Sequence, residues 1–268
     1  MSWIRSFLGK SKKIENQYGW FGNFDSWDEV KRIAPGYDAD NILKKTKESL
    51  LKVKNGEAVY ERDSVLFDKK EYPYAIISAL LYVAARNNNK LNVIDFGGSL
   101  GSTWFQIRDF VPPEIELSWS IVEQEAYVNA GKEHFADDIL DFYFSIDQCI
   151  AAKKTIHVIL LSSVVQYLEK PHEFLDQLTS YNVNYLLFDR TAFITGDDTD
   201  RLTLQVVPPE IYEAKYPAWF FNESGFLAHF DSYKLKADFQ SFVEGERHMS
   251  INQEMIAYDK GFFFERKV

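Results

Sequence analysis

The chain has 268 residues, 46% hydrophobic and 26% charged, the proportions of a water-soluble globular protein with one large domain or one domain and an appended piece. Forty acidic residues against 30 basic ones give a net charge of −10, which argues against a nucleic-acid partner, because phosphate contacts need clustered Lys and Arg. The single cysteine, Cys149, excludes an internal disulfide and a cysteine-based zinc site; it reads as core in a reducing cytoplasm.

No apolar run is long enough to span a membrane. Residues 1–13 are basic, with Trp3, Ile4, Phe7 and Leu8 on one helical face but no signal-peptide apolar core, so they read as an arm packed on its own domain or a weak membrane-surface contact. Residues 14–35 alternate bulky aromatics, including Trp20, with glycines and small polar groups. That pattern predicts a structured loop, either an aromatic plug over the core or a lid over a pocket. Ser26 followed by Glu29 matches a capping box and starts a short helix through Ile33. Helices are expected over 38–54 and 72–86, which makes residues 1–90 a helical, aromatic-rich N-terminal layer.

From residue 91 strands and helices alternate. Strand 91–95 leads through a glycine turn into helix 102–110, strand 117–122 into helix 124–135, and a weaker strand 140–144 into helix 146–153. Strand 155–161 is almost wholly apolar, as in a parallel sheet covered on both faces, and a helix follows from Pro171. Strand 183–188 ends at Asp189-Arg190. Five such units predict an α/β fold with a doubly wound, Rossmann-like parallel sheet over 91–268. Residues 191–232 interrupt the rhythm as an ordered insertion, and 233–242 and 260–267 alternate in strand fashion.

The stretch Asp95-Phe96-Gly97-Gly98-Ser99-Leu100-Gly101 is the chemical centre of this pattern. Glycines let the backbone approach a ligand where a Cβ would obstruct, and the next helix offers free N–H groups. A nicotinamide dinucleotide places a pyrophosphate at such a turn, and the Asp95 carboxylate so close by would repel it. S-adenosylmethionine (SAM) has no phosphate and carries an ammonium and a sulfonium, which a carboxylate attracts. Glu123, ending the next strand, is placed to accept both ribose hydroxyls of either cofactor. The expected cofactor contacts are therefore Asp95, Gly97, Gly98, Ser99 and Gly101 from the turn, with Glu123 and Gln124. A nicotinamide-dependent oxidoreductase is the lesser reading, since the chain also lacks a Tyr-x-x-x-Lys pair.

At these residues the chain resembles the class I SAM-dependent methyltransferases, over about residues 91–268. The resemblance implies a sheet of strand order 3-2-1-4-5-7-6 with the last strand antiparallel. It also implies an adenine-pairing residue after the third strand, with Asp137, Asp138 and Asp141 nearby. The loop after the fourth strand then places Ser162, Ser163 and Gln166 at the cofactor, with Gln166 and Tyr167 where the family usually has histidines. More narrowly, the whole chain is similar to a bacterial group of methyltransferases encoded near surface-polysaccharide genes. That likeness rests on Tyr18-x-Trp20-x-Gly22-x-Phe24-x-Ser26-Trp27-x-Glu29, Asp95-Phe-Gly-Gly98, Ser162–Tyr167, Asp189-Arg190-Thr191 and Tyr216-Pro-x-Trp219. It implies a small-molecule or glycan-precursor acceptor.

Methyl transfer to a hydroxyl needs alignment, exclusion of water and a general base. No Asn/Asp-Pro-Pro-Tyr/Phe motif of amino-group methylation follows the fourth strand. Ser162 and Asp189-Arg190 stand where metal-dependent catechol-type enzymes carry metal ligands, so oxygen methylation without metal is expected. Asp189 is the candidate base or hydroxyl ligand, and Arg190 binds an anionic acceptor unless the two simply pair at the sheet edge. His172 is a second candidate base or a surface residue. His157, inside a strand, reads as a satisfied core histidine. Trp20, Tyr167, Tyr216 and Trp219 are the candidate acceptor wall. The absence of an obvious base keeps open a SAM-binding scaffold that performs no transfer.

Overall fold

The computed structural model describes residues 18–34, 39–196, 198–209, 211–212 and 214–267. The N-terminal arm, and with it the membrane-contact expectation, lies outside them. Strand β1 (Gly19–Phe24) is followed by helices α1 (Trp27–Ile33) and α2 (Ala39–Lys54), the hairpin β2 (Tyr60–Arg62) and β3 (Val65–Phe67), and helix α3 (Tyr74–Arg86). The alternating part comprises β4 (Lys90–Phe96), α4 (Ser102–Ile107), β5 (Glu116–Val122), α5 (Glu125–His134), β6 (Leu140–Tyr143), α6 (Ile146–Lys153), β7 (Val158–Ser162), α7 (Pro171–Ser180) and β8 (Tyr185–Ile194). Strands β9 (Arg201–Val206) and β10 (Lys215–Phe220), helix α8 (Glu223–Leu227), and strands β11 (Tyr233–Gln240), β12 (Met249–Ile251) and β13 (Glu254–Arg266) complete the chain.

β6, β5, β4, β7 and β8 pair in that order, all parallel, and β13 joins β8 antiparallel. The sheet is thus wound outward in both directions from β4, and the crevice between the carboxyl ends of β4 and β7 is its topological switch point. One face is covered by α2, α3, α4 and α5, whose Leu50, Leu80, Phe105 and Val128 meet the buried Val93 and Ile121. The other carries α6, α7 and α8, where Cys149, Leu175 and Phe226 pack on Ile94, Ile159 and Phe188. Phe188, Phe193, Phe221, Phe226 and Phe262 are all fully buried here, with ring centroids 5.3 Å apart for Phe188–Phe226 and for Phe193–Phe226. Much of the aromatic surplus is core.

The structure departs from the sequence reading in two places. The aromatic stretch expected as a loop is strand β1, which pairs antiparallel with β9 and parallel with β12. The presumed insertion also builds sheet: β8 runs on past Arg190 to Ile194, and β9 and β10 form a ladder beyond β1. The N-terminal part is therefore helical only between its strands. The capping box is present in a shifted form, Ser26 Oγ accepting from Glu29 N at 3.3 Å while Glu29 Oε2 accepts from Asp25 N at 3.2 Å.

One irregularity matters for the site. On β13 the register shifts between Lys260, opposite Thr191, and Phe262, opposite Phe188. Asp189 and Arg190 on β8 therefore face the single residue Gly261, a β-bulge. Arg190 takes φ 49°, in the left-handed region. A Cβ on Gly261 would lie 2.7 Å from the Phe188 carbonyl oxygen and 2.2 Å from Phe239 Cε2. The backbone oxygen cannot rotate away, so Gly261→Ala is expected to cost about 1–3 kcal/mol. Urea unfolding would show this as a lower midpoint at unchanged slope; an unchanged midpoint would mean that the bulge tolerates a side chain.

Candidate functional site

β4 ends with Asp95 beneath the glycine turn. Gly97 and Ser99 adopt φ 69° and 56°, and a Cβ on Gly97 would lie 2.3 Å from Val164 Cγ2 in the loop after β7. A Cβ on Gly98 would sit 2.5 Å from Asp95 Cγ, so only glycine lets the turn close over this carboxylate. Asp95 is 1% exposed; the Trp119 indole N–H donates to Oδ2 at 3.1 Å, and Oδ1 has no partner. Burial, reinforced by the charge of Glu123 and opposed by the Trp119 bond, pushes its pKa up to about 7. Glu123, just beyond β5, accepts from Gln124 N at 2.7 Å and from Ser99 N, and burial pushes its carboxyl up too.

These groups open on a cavity of about 1080 Å³, which Asp95, Gly97, Gly98, Ser99, Glu123 and Gln124 all line. Gly101 does not. It turns the chain at φ 103° into α4, and its missing Cβ would lie 3.2 Å from Leu140 Cδ2, so it packs helix on sheet. Asp137 caps the turn before β6 by accepting from Ile139 N and Leu140 N, Asp141 accepts from the Tyr143 hydroxyl, and neither they nor Asp138 line the cavity. The adenine-pairing expectation fails for all three because they precede or lie within the third parallel strand and do not follow it.

The opposite wall begins where β7 and β8 end their parallel pairing, at Ser162 opposite Asp189. Asp189 is 3% exposed and accepts from Ser162 Oγ at 2.8 Å. Burial lifts its pKa to about 6 against the pull of Arg190 and the Ser162 bond. Arg190 does not pair with Asp189, and it is not free for an anionic acceptor. Its Nη2 and Nε donate to Glu246 at 2.5 and 2.8 Å, and Nη2 reaches Asp63 at 3.3 Å. Burial opposes ionisation of Glu246, but the guanidinium outweighs it and holds that carboxyl below its ordinary range. Gln166 Nε2 donates to the Arg190 carbonyl at 3.0 Å, tying the loop after β7 to the bulge, and its Oε1 is left without a partner.

Ser162, Ser163, Gln166, Tyr167, Asp189 and Arg190 all line the cavity, as do Trp20, Tyr216 and Trp219. Tyr167 meets Tyr216 edge to face at 5.4 Å. Trp219 stacks on Trp27 at 6.4 Å, its N–H held by the Leu168 carbonyl at 3.2 Å, and Trp20 packs edge-on against Phe220 at 5.7 Å. The wall is anchored in the folded structure as well as facing the cavity.

His172 is misplaced by the sequence reading. It does not line the cavity; its ring bridges Asp200 at 2.5 Å and His229 at 2.7 Å and stacks on His229, which continues to Asp176 at 2.6 Å. The helix that Pro171 starts points this side chain toward the 228–230 turn. His157 is a satisfied core histidine, its Nδ1 accepting from Asn92 N at 2.8 Å. Among the described residues no cluster of three or more His, Cys, Asp or Glu side chains could hold a metal ion.

Four acids in the cavity wall escaped the sequence reading: Asp63, which meets Arg190, and Glu61, Glu246 and Asp259. Glu61 on β2, buried, accepts from Ser102 Oγ at 2.7 Å and Ser64 N at 2.6 Å, and burial lifts its pKa to about 7. Glu246 lies in a short turn before β12, and Asp259 on β13 hydrogen-bonds it; burial, then the charge of Glu246, pushes Asp259 well above the usual carboxylate range. No spacing marks them: each is an acid in a short polar stretch that only tertiary pairing brings to the site.

The chain matches no family model and no curated protein sequence. It is similar to several solved structures at low identity. The N-terminal domain of EvdMO1, solved in the presence of SAH and D-fucose, matches with TM-score 0.45 at 10% identity over 86% of this chain and 98% of that one. The glycopeptide N-methyltransferase MtfA, complexed with SAM, matches with TM-score 0.45 at 8% identity over 71% and 93%. Magnesium protoporphyrin IX methyltransferase (ChlM) from Synechocystis PCC 6803, with bound SAM, matches with TM-score 0.43 at 12% identity over 72% and 79%. Likenesses of this size do not identify a function, which has to be argued from the site.

Proposed function

We propose that this protein is a SAM-dependent methyltransferase that acts on a small molecule or glycan precursor at oxygen, without a metal ion in the step. The observation that carries the reading is the pair of acids at the glycine turn, Asp95 buried and Glu123 partly so. Asp95, with an oxygen lacking any donor, lies under a turn that admits no Cβ, and Glu123 faces it from the next strand. An orphaned carboxylate oxygen calls for a cationic or N–H donor, which the ammonium of SAM supplies and a pyrophosphate does not. Glu123 keeps lone pairs for the two ribose hydroxyls beyond its bonds to Gln124 and Ser99. Gly97, Gly98 and Ser99 give the backbone contact.

SAM, when bound, supplies a methyl group on a sulfonium carbon open to in-line displacement. The chain's own part is to hold the acceptor hydroxyl in line, keep water out and take the hydroxyl proton. Asp189 is the candidate to take it: it lines the same cavity from within β8, in contact with Ser162 at the end of β7. Tyr167, Tyr216 and Trp219 offer apolar faces to the acceptor. Asp95 also separates this reading from the oxidoreductase one, and a SAM-binding scaffold would bind SAM yet transfer nothing. The likeness to enzymes of surface-polysaccharide gene groups belongs to the same proposal as a choice of acceptor.

Calorimetry tests the cofactor. SAM and its product S-adenosylhomocysteine (SAH) are expected to bind and NADH is not; the converse would end the reading. Glu123→Ala removes charged hydrogen bonds worth about 1.5–3 kcal/mol, so SAM affinity should fall roughly 10- to 100-fold. An unchanged affinity would take Glu123 out of the cofactor site.

A base must be ionised to accept a proton. With the Asp189 carboxyl lifted to about 6, turnover is expected in full above that pH and to fall as pH drops through it. Asp189→Asn should lower kcat by about 10²-fold or more and abolish that inflection while leaving SAM affinity unchanged. A retained inflection would assign the base elsewhere.

A further inference from the structure

The acceptor half of the cavity has a hydrogen-bonding character of its own. Apart from Asp95 and Glu123, the described lining residues include five carboxylic acids, Glu61, Asp63, Asp189, Glu246 and Asp259, and three cations, Lys31, Arg62 and Arg190. Each cation already faces an acid of the chain: Arg190 faces Glu246, Arg62 faces Glu71 at 3.0 Å, and Lys31 faces Glu169 at 3.5 Å across an exposed pair. A phosphate or carboxylate entering here would find each of these cations already facing an acid, and to take Arg190 it would have to displace Glu246 from a part-buried, two-pronged ion pair.

The wall is also short of donors. Gln166 Oε1, Gln205 Oε1 and Asp259 Oδ1 are buried acceptor atoms with no partner, and all three residues line the cavity. Gln166 cannot be turned to offer its N–H₂ instead, because its Nε2 is committed to the Arg190 carbonyl. The three atoms come from different elements, the loop after β7, β9 and β13. A ligand that satisfies them has to present several donors, as a molecule with several hydroxyl groups does. Asp259 hydrogen-bonds Glu246 and is held well above the usual carboxylate range, so it presents a neutral acceptor suited to hydroxyl donors. Tyr167 and Tyr216 supply ring faces for the C–H side of such a molecule.

We infer that the acceptor is an uncharged polyhydroxylated molecule of sugar type, bound through Gln166, Gln205 and Asp259, and that phosphorylated and nucleotide-linked sugars are excluded. This rests on the methyl-transfer reading above, which its test checks separately. SAH binding is measured first by calorimetry; if SAH does not bind, the methyltransferase reading and this inference both fall. With SAH binding established, methyl-labelled SAM is supplied with a small-molecule extract of the source cells, divided beforehand by anion exchange at neutral pH. The label is expected in the unretained fraction, on a product whose fragmentation shows a methyl ether of a polyol. Label on a retained anion or on an amine overturns the acceptor class alone, whereas the absence of label from both fractions overturns the methyl-transfer reading and this inference with it.

The isolated polyol then tests the residues. Asp259→Asn and Gln205→Leu should each raise its KM about five- to tenfold, the worth of one hydrogen bond, with SAH affinity and melting temperature held. Two variants exclude a folding artefact in either one, and an unchanged KM in both would overturn the assignment.

Discussion

The site depends on one backbone irregularity and the ion pair that holds it. Two residues of β8 face one residue of β13, so Asp189 and Arg190, which a regular strand would send to opposite faces, both line the cavity. Arg190 pays for this with a left-handed backbone, a conformation worth roughly 1–3 kcal/mol of strain for a residue with a Cβ. Its two-pronged grip on Glu246 offsets that cost, and the Arg190 carbonyl in turn fixes Gln166. The bulge, the 244–246 turn and the loop after β7 thus stand or fall together.

Around this knot the cavity collects acids that water no longer solvates. Asp95, Glu61 and Asp189 all rise above the ordinary carboxylate range, and in each burial is the leading cause. A protein stabilised for its own sake would replace such groups by apolar ones, because each loses stability on ionising as pH rises from its unfolded value through its folded one. Their retention is understandable where a ligand brings the missing donors. Asp95 and the Gln166–Gln205–Asp259 group lack donors in the wall of one cavity, which suits the proposed pair of ligands in one chamber.

The parts of this arrangement legible in the sequence are those set by local periodicity and turn chemistry. The alternating strands and helices from residue 91, the glycine turn with Asp95, and Glu123 at the next strand end follow from patterns a few residues long. Pro171 starts its helix as expected, and Ile146–Lys153 forms over the expected span. What could not be read depends on pairing across the chain. β1 reads as a loop because its glycines and aromatics carry no strand alternation; partners 178 or more residues away, on β9 and β12, make it a strand. His172 was drawn to the site by its place after the fourth parallel strand, but the start of α7 turns it to His229. Glu61, Glu246 and Asp259 have no motif at all.

The extension of the sheet bears on how the site works. Trp20, Tyr216 and Trp219 belong to β1 and β10, strands of the same sheet that carries Asp95 and Asp189. Trp219 is held at its N–H by Leu168 and at its face by Trp27, so the wall is fixed at several points. An in-line displacement is sensitive to misplacement of about 1 Å. A single hydrogen-bonded ladder from the glycine turn to the aromatic wall would hold both partners of the proposed transfer in one frame. In that proposal the alignment comes from the sheet itself.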